Sequence, residues 1–142
     1  MLLSVWNQQI LSNSDLKKYN IKAIIAHNAY FDYKALRNTK MFLTQQKTFL
    51  PYEIEIWCTM KMAQSVIATK KSYQKFCKEN GYMTNHKTPR PRVTAEVLHR
   101  YITNDIDFIE SHTGLEDVMI EKEIFAYCVK QKRKMNKALF KK

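Results

Sequence analysis

Only two stretches of this chain read as β-strands, and that constrains its fold more than anything else in it. Residues 21–28, IKAIIAHN, carry a nearly continuous apolar run through Ala26, the pattern of a strand buried on both faces. Residues 53–58, EIEIWC, alternate polar and apolar side chains. Each stretch is followed by helical spacing. Residues 30–43 predict one helix, with Phe31, Ala35, Met41 and Phe42 facing inward. Thr59 is the expected N-cap of a second, running to about residue 68. Further helices are predicted over residues 70–80 with Gly81 closing the C-terminus, over 94–102 and over 113–130. In the helix at 94–102, Val97, Leu98, Tyr101 and Ile102 share one face. Residues 1–19 also show a helical apolar face, and Pro89 and Pro91 make residues 81–92 a loop. The class is therefore α/β, mostly helical with a small residual sheet. A lone pair of strands is marginal in water, so the pattern reads as part of an α/β fold whose first strands are missing.

Composition removes several functions. The two glycines, Gly81 and Gly114, rule out a P-loop or a dinucleotide fingerprint, which need several glycines close together. No apolar run approaches the length of a membrane span, and the opening MLLSVWNQQI lacks a secretory pattern, so no membrane partner is expected. Cys58, Cys77 and Cys128 form no C-x-x-C pair, which points to a reducing, cytoplasmic setting with all three acting as small apolar residues. The length of 142 residues suits one domain.

The net charge of +11 suits a polyanionic partner, because Lys and Arg gain affinity by releasing phosphate counterions. The same charge would also serve solubility alone. Its distribution is uneven. Residues 105–129 carry seven acidic and one basic side chain, as a metal site or a solvated helix face would. Residues 130–142 carry seven basic side chains and none acidic, and read as a basic tail, frayed or forming a short helix end. That tail suits either a nucleic-acid backbone or plain solvent.

Two clusters carry chemistry. In AHNAYFD, residues 26–32, a buried strand delivers His27 and Asn28 and then Asp32 at the start of a helix, where the dipole favours a carboxylate. Of the aromatic neighbours Tyr30, Phe31 and Tyr33, one is placed to stack on a base, but helical spacing assigns Phe31 to the core. In SHTGLEDV, residues 111–118, His112 precedes a helix and Asp117 follows five positions later, so loop and helix can bring imidazole and carboxylate to one wall. Either cluster alone is ordinary: a helix-start carboxylate, and a surface His and Asp.

Taken together, AHNAYFD followed far downstream by H-x4-D resembles the DEDD-type 3′–5′ exonucleases that use a histidine general base, which have the RNase H-like fold. That group includes the proofreading subunits of bacterial replicative polymerases, RNase T and oligoribonuclease. WCTMKMA, residues 57–63, looks like the family's strand-then-helix segment, and HTGLEDVMIEKEIF, residues 112–125, is similar to its last motif helix. The resemblance covers most of residues 15–129 and implies two-ion hydrolysis of DNA or RNA from a single-stranded 3′ end, with Mg2+ or Mn2+. It implies Asp32 and Asp117 as metal ligands and His112 as general base, an imidazole being the side chain that titrates nearest neutral pH. His27 and Asn28 would support the ligands or touch substrate.

One departure is large. The family's first motif, D-x-E on the first strand, occurs nowhere in this sequence. Glu53 and Glu55 have that spacing but sit on the strand after the second motif, so they are not assigned. The expectation is the C-terminal part of an exonuclease domain over residues 1–129, truncated at its N-terminus, with little nuclease activity by itself. An exposed sheet edge would then invite a complementing N-terminal polypeptide or self-association. The alternatives are a non-catalytic nucleic-acid-binding protein on a degenerate version of the fold, and a basic domain with a structural role.

Overall fold

The structure is a computed structural model and describes residues 18–45, 50 and 53–140. The helical face expected over residues 1–19 falls almost entirely outside these. The described elements are β1 (Ala23–Ala26), α1 (Ala29–Thr44), β2 (Glu55–Cys58), α2 (Thr59–Val66), α3 (Lys71–Glu79), α4 (Ala95–Thr103) and α5 (Gly114–Lys130). They form an α/β chain with two compact units, Met1–Cys58 with Ala138–Lys142, and Thr59–Lys137.

In the first unit β1 and β2 pair in parallel, Ala23 opposite Glu55 and Ala26 opposite Cys58. A parallel pair needs a crossover, and α1 supplies it. On its other side β2 is met by the chain's end: Trp57 bridges to Ala138 in antiparallel sense, and the Leu139 N–H donates to the Ile56 carbonyl at 2.8 Å. Asn28 links β1 to α1 in the left-handed region, φ 53°, a conformation that asparagine tolerates better than most residues.

The inward face expected of α1 is corrected. Ala29 is buried, whereas Phe31 is 69% and Phe42 88% exposed, and Met41 is exposed too. At 100° per residue, Phe31 and Phe42 lie near one another on the side opposite Ala29 and Leu36, and that second side is the one turned inward. Small Ala29, not the aromatics, sets the close approach. Phe31 is therefore a surface residue.

The second unit is built on i, i+4 apolar pairs. Met62 with Val66, Ala63 with Ile67, Tyr73 with Cys77, and Ile120 with Ile124 and Cys128 meet Val97 and Leu98 in one core. Tyr101 and Ile102 pack against it, as their shared face predicts. All three cysteines are free and buried. Thr59 is the first residue of α2 and fully buried rather than the cap before it. Gly81 takes φ 73° just past α3, and the Tyr82 N–H returns to the Cys77 carbonyl at 2.8 Å, a left-handed helix stop. Thr94 caps α4, its side chain accepting from the Val97 N–H.

The expected frayed tail is also corrected. Met135 packs on the core of the second unit, and the Asn136 N–H donates to Ser65 Oγ at 3.1 Å. In the first unit, Phe140 meets the Tyr33 ring edge-on at 4.8 Å. Apolar residues spaced through the basic run hold it to the fold; counting charge alone misses them.

Candidate metal centre

The segment between α4 and α5 is fixed to α4 by polar contacts. Arg100 donates from Nε to the Phe108 carbonyl at 2.8 Å and from Nη1 to the Tyr82 hydroxyl at 2.7 Å. Its Nη2 lies 2.8 Å from Glu96 Oε1, and Glu96 Oε2 in turn accepts the Glu110 N–H at 3.3 Å. The His99 ring rests against Phe108, with Nδ1 2.6 Å from Glu123 Oε2 on α5. Phe108 and Glu110 are thus tied to one helix by a chain of charge-assisted bonds.

From Glu110 the backbone turns through His112, at φ 55°, into α5. Thr113, the N-cap position, makes no side-chain cap. Glu116 instead reaches back to the turn before the helix, accepting from the Ser111 N–H at 2.6 Å and from the Ser111 hydroxyl. These bonds hold the Glu116 carboxyl below its ordinary pKa. Glu116 therefore braces the turn, and Asp117, about 100° further round the helix, is left for another task.

The outcome is a cluster of three. Glu110, His112 and Asp117 each offer a ligand atom, and those atoms lie within 4.8 Å of one another. His112 Nδ1 is 3.9 Å from Glu110 Oε2, with the imidazole 79% and the Glu110 side chain 15% exposed. Burial pushes the Glu110 carboxyl up; the negative charges of Asp117 and Glu96 add to this, and His112 opposes it. Asp117 Oδ1 is sealed from solvent and has no hydrogen-bond partner among the described residues.

The spacing of His112 and Asp117 predicts their meeting, and the structure brings them together. Glu110 is the member that sequence reasoning missed. Its signal was E-x-H, two residues before the histidine, inside the one acidic stretch of a basic chain. A cavity of about 410 Å3 between α4 and α5, lined by His99, Phe108, Glu116, Met119 and Glu123 among others, contains none of the three.

Asp32, His27 and Asn28 belong to the first unit. Asp32 lies in the first turn of α1, half-buried, and burial pushes its carboxyl up. His27 follows β1 half-buried, while Asn28 is exposed and its side chain makes no cap bond. The need for a left-handed residue between β1 and α1 is itself a reason for Asn28. Glu55 is engaged locally: its Oε2 accepts the Trp57 indole N–H at 2.7 Å.

The donor set of Glu110, His112 and Asp117 suits a divalent cation. Two carboxylates are the hard oxygen donors that Mg2+ and Mn2+ take. Two acidic groups this close repel, and a sealed oxygen without a donor is costly unless a cation or proton meets it. Among the described residues no helix is long and apolar enough to cross a membrane. Comparison with protein-family models, with curated protein sequences and with solved structures yields no match.

Proposed function

We propose that this chain is part of a divalent-metal-dependent 3′–5′ exonuclease with an RNase H-like fold, acting on a single strand of DNA or RNA. The observation that carries the reading is the cluster of Glu110, His112 and Asp117, which sits on the motif that resembles the histidine-type exonucleases. Asp117 and Glu110 would hold Mg2+ or Mn2+; the resemblance assigns Asp32, the carboxylate of its second motif, as a further ligand. When bound, such ions stabilise negative charge on the attacking and leaving oxygens. His112, exposed and on a fixed turn, takes the proton of the attacking water as its oxygen bonds to phosphorus. The P–O3′ bond breaks, the leaving 3′ oxygen takes a proton from water to end as a hydroxyl, and the protonated His112 returns its proton to solvent. His27 and Asn28 would steady this region or meet the substrate.

The sequence lacks the D-x-E carboxylates of the resembled family, so the 142 residues alone should hydrolyse little. The test is stepwise shortening of a 5′-labelled single strand with Mn2+. It compares this chain with a version lengthened by the residues encoded upstream. Hydrolysis by the lengthened form, lost in His112→Ala and Asp117→Asn, is expected. A lengthened form that releases nothing, or that works with Asp117→Asn, would sink the reading.

A second reading is a non-catalytic nucleic-acid-binding protein on the same fold. The missing D-x-E pair favours it. It requires strand binding that is indifferent to metal and to His112.

A further inference from the structure

We infer that the basic segment at the end of α5, residues 130–134, is a fixed ridge that binds the phosphate backbone of a single-stranded nucleic acid. The inference rests on reading the partner as a nucleic-acid strand, and not on the metal centre. Four cations make the ridge: Lys130, Lys132, Arg133 and Lys134. All four are exposed, and none of their side chains has a hydrogen bond or ion pair to any described residue. The C-terminus of α5 accounts for the charge of Lys130, which lies in its last turn. It does not account for the three cations beyond.

What distinguishes this run from a solvated basic tail is that it is held at both ends. At its start, Gln131 N–H returns to the Cys128 carbonyl at 3.2 Å and Lys132 N–H to the Val129 carbonyl at 3.1 Å. Gln131 Nε2 also donates to the Tyr127 carbonyl at 2.9 Å. At its end, Met135 packs into the core and Asn136 bonds Ser65 on α2. A fifth cation stands beside the start: Lys70 lies over the Tyr127 ring, its Nζ 3.1 Å from the Tyr127 hydroxyl.

Holding like charges side by side costs repulsion, and nothing acidic in residues 130–142 relieves it. A partner that brings regularly spaced negative charge does. Pre-ordered cations also lose less side-chain and backbone freedom on binding than a mobile tail would. Beyond Lys130 the segment is not helical and presents no apolar stripe of the kind that seats a basic helix in a lipid surface, so a nucleic-acid strand is the favoured polyanion.

The experiment is fluorescence anisotropy of a labelled oligothymidylate with the 142-residue chain, in EDTA, across 50 to 200 mM NaCl. EDTA removes both metal binding and cleavage. The variant replaces Lys130, Lys132, Arg133 and Lys134 by Gln. A control with the same net charge replaces the exposed Lys75, Lys78, Lys87 and Arg90. Four lost phosphate contacts should make the slope of log affinity against log salt shallower by about 2.8, at roughly 0.7 per contact for a single strand. The ratio of wild-type to variant affinity should then shrink about 50-fold across that salt range. The control should stay within about threefold of the unsubstituted chain at 150 mM salt, where distant charges are screened. In the unsubstituted chain, the oligonucleotide should shield Lys130, Lys132 and Lys134 from acylation and leave Lys75 and Lys78 reactive. Equal loss in both variants, no loss in either, or stronger binding to phosphatidylserine vesicles than to the oligonucleotide would overturn the ridge. If the ridge fails while the lengthened chain still hydrolyses 3′ ends, the exonuclease reading stands without it.

Discussion

Replacing Glu110 by Gln should stabilise the protein when no divalent cation is present. Its ligand oxygen and that of Asp117 lie within 4.8 Å, where two unit charges repel by about 3.5 kcal/mol at an effective dielectric of 20 and about 0.9 kcal/mol in water. Glu110 is largely buried and the neighbouring imidazole is open to solvent, so the real screening falls between those limits. Loss of the attraction to His112 subtracts from the gain, leaving about 1 to 2 kcal/mol. The pH dependence has a definite sign. Burial and negative neighbours raise the Glu110 carboxyl above its ordinary 4.5, so the folded state binds more protons than the unfolded one as the pH passes through that window. Wild-type stability therefore falls as pH rises through the raised pKa, and the variant escapes that fall. The advantage of Gln should be full above the raised pKa and gone below the ordinary one. Urea unfolding in EDTA from pH 4 to 8 measures it, and Mn2+ should stabilise the wild type more than the variant and offset that advantage. A variant less stable than wild type at pH 7.5 in EDTA would refute the argument.

Three further outcomes are expected. Leu98→Ala empties a fully buried site between α4 and α5 and should cost about 3 to 5 kcal/mol in chemical denaturation, a smaller loss showing that the core closes over the gap. Gly81→Ala meets no atom within 4 Å, so its cost should be only that of a left-handed backbone, about 1 kcal/mol; a loss above about 3 kcal/mol would mean an unrecognised clash. Glu55→Gln should leave Mn2+ affinity within about twofold, because its carboxylate serves the Trp57 indole, whereas a loss of tenfold or more would bring the E-x-E pair into the site.

Much of the framework was legible in the residues because it rests on local physics. The apolar run before Ala26 and the alternation before Cys58 gave the two strands, and the helix expected over residues 113–130 matches α5. Gly81 marked a helix end because few other residues tolerate its φ. The failures came where the competing effects were not local. Phe31 and Phe42 are apolar at helical spacing, but the small face of α1 carrying Ala29 turns inward instead. The basic tail looked mobile because its charge outweighs four apolar residues that anchor it. Glu110 was missed because its place depends on Glu96, fourteen residues earlier, which holds its backbone N–H and is itself fixed by Arg100. His112 and Asp117 were found because a single turn at a helix start joins them.

The most direct measurement is Mn2+ binding by the 142-residue chain, followed by isothermal titration or by loss of the free-ion paramagnetic signal. Wild-type chain should bind Mn2+ at a site that Asp117→Asn and Glu110→Gln each weaken by about tenfold or more, while Lys75→Gln leaves it unchanged. No saturable Mn2+ binding, or binding indifferent to both carboxylates, would contradict the assignment of Glu110 and Asp117 as metal ligands beside His112.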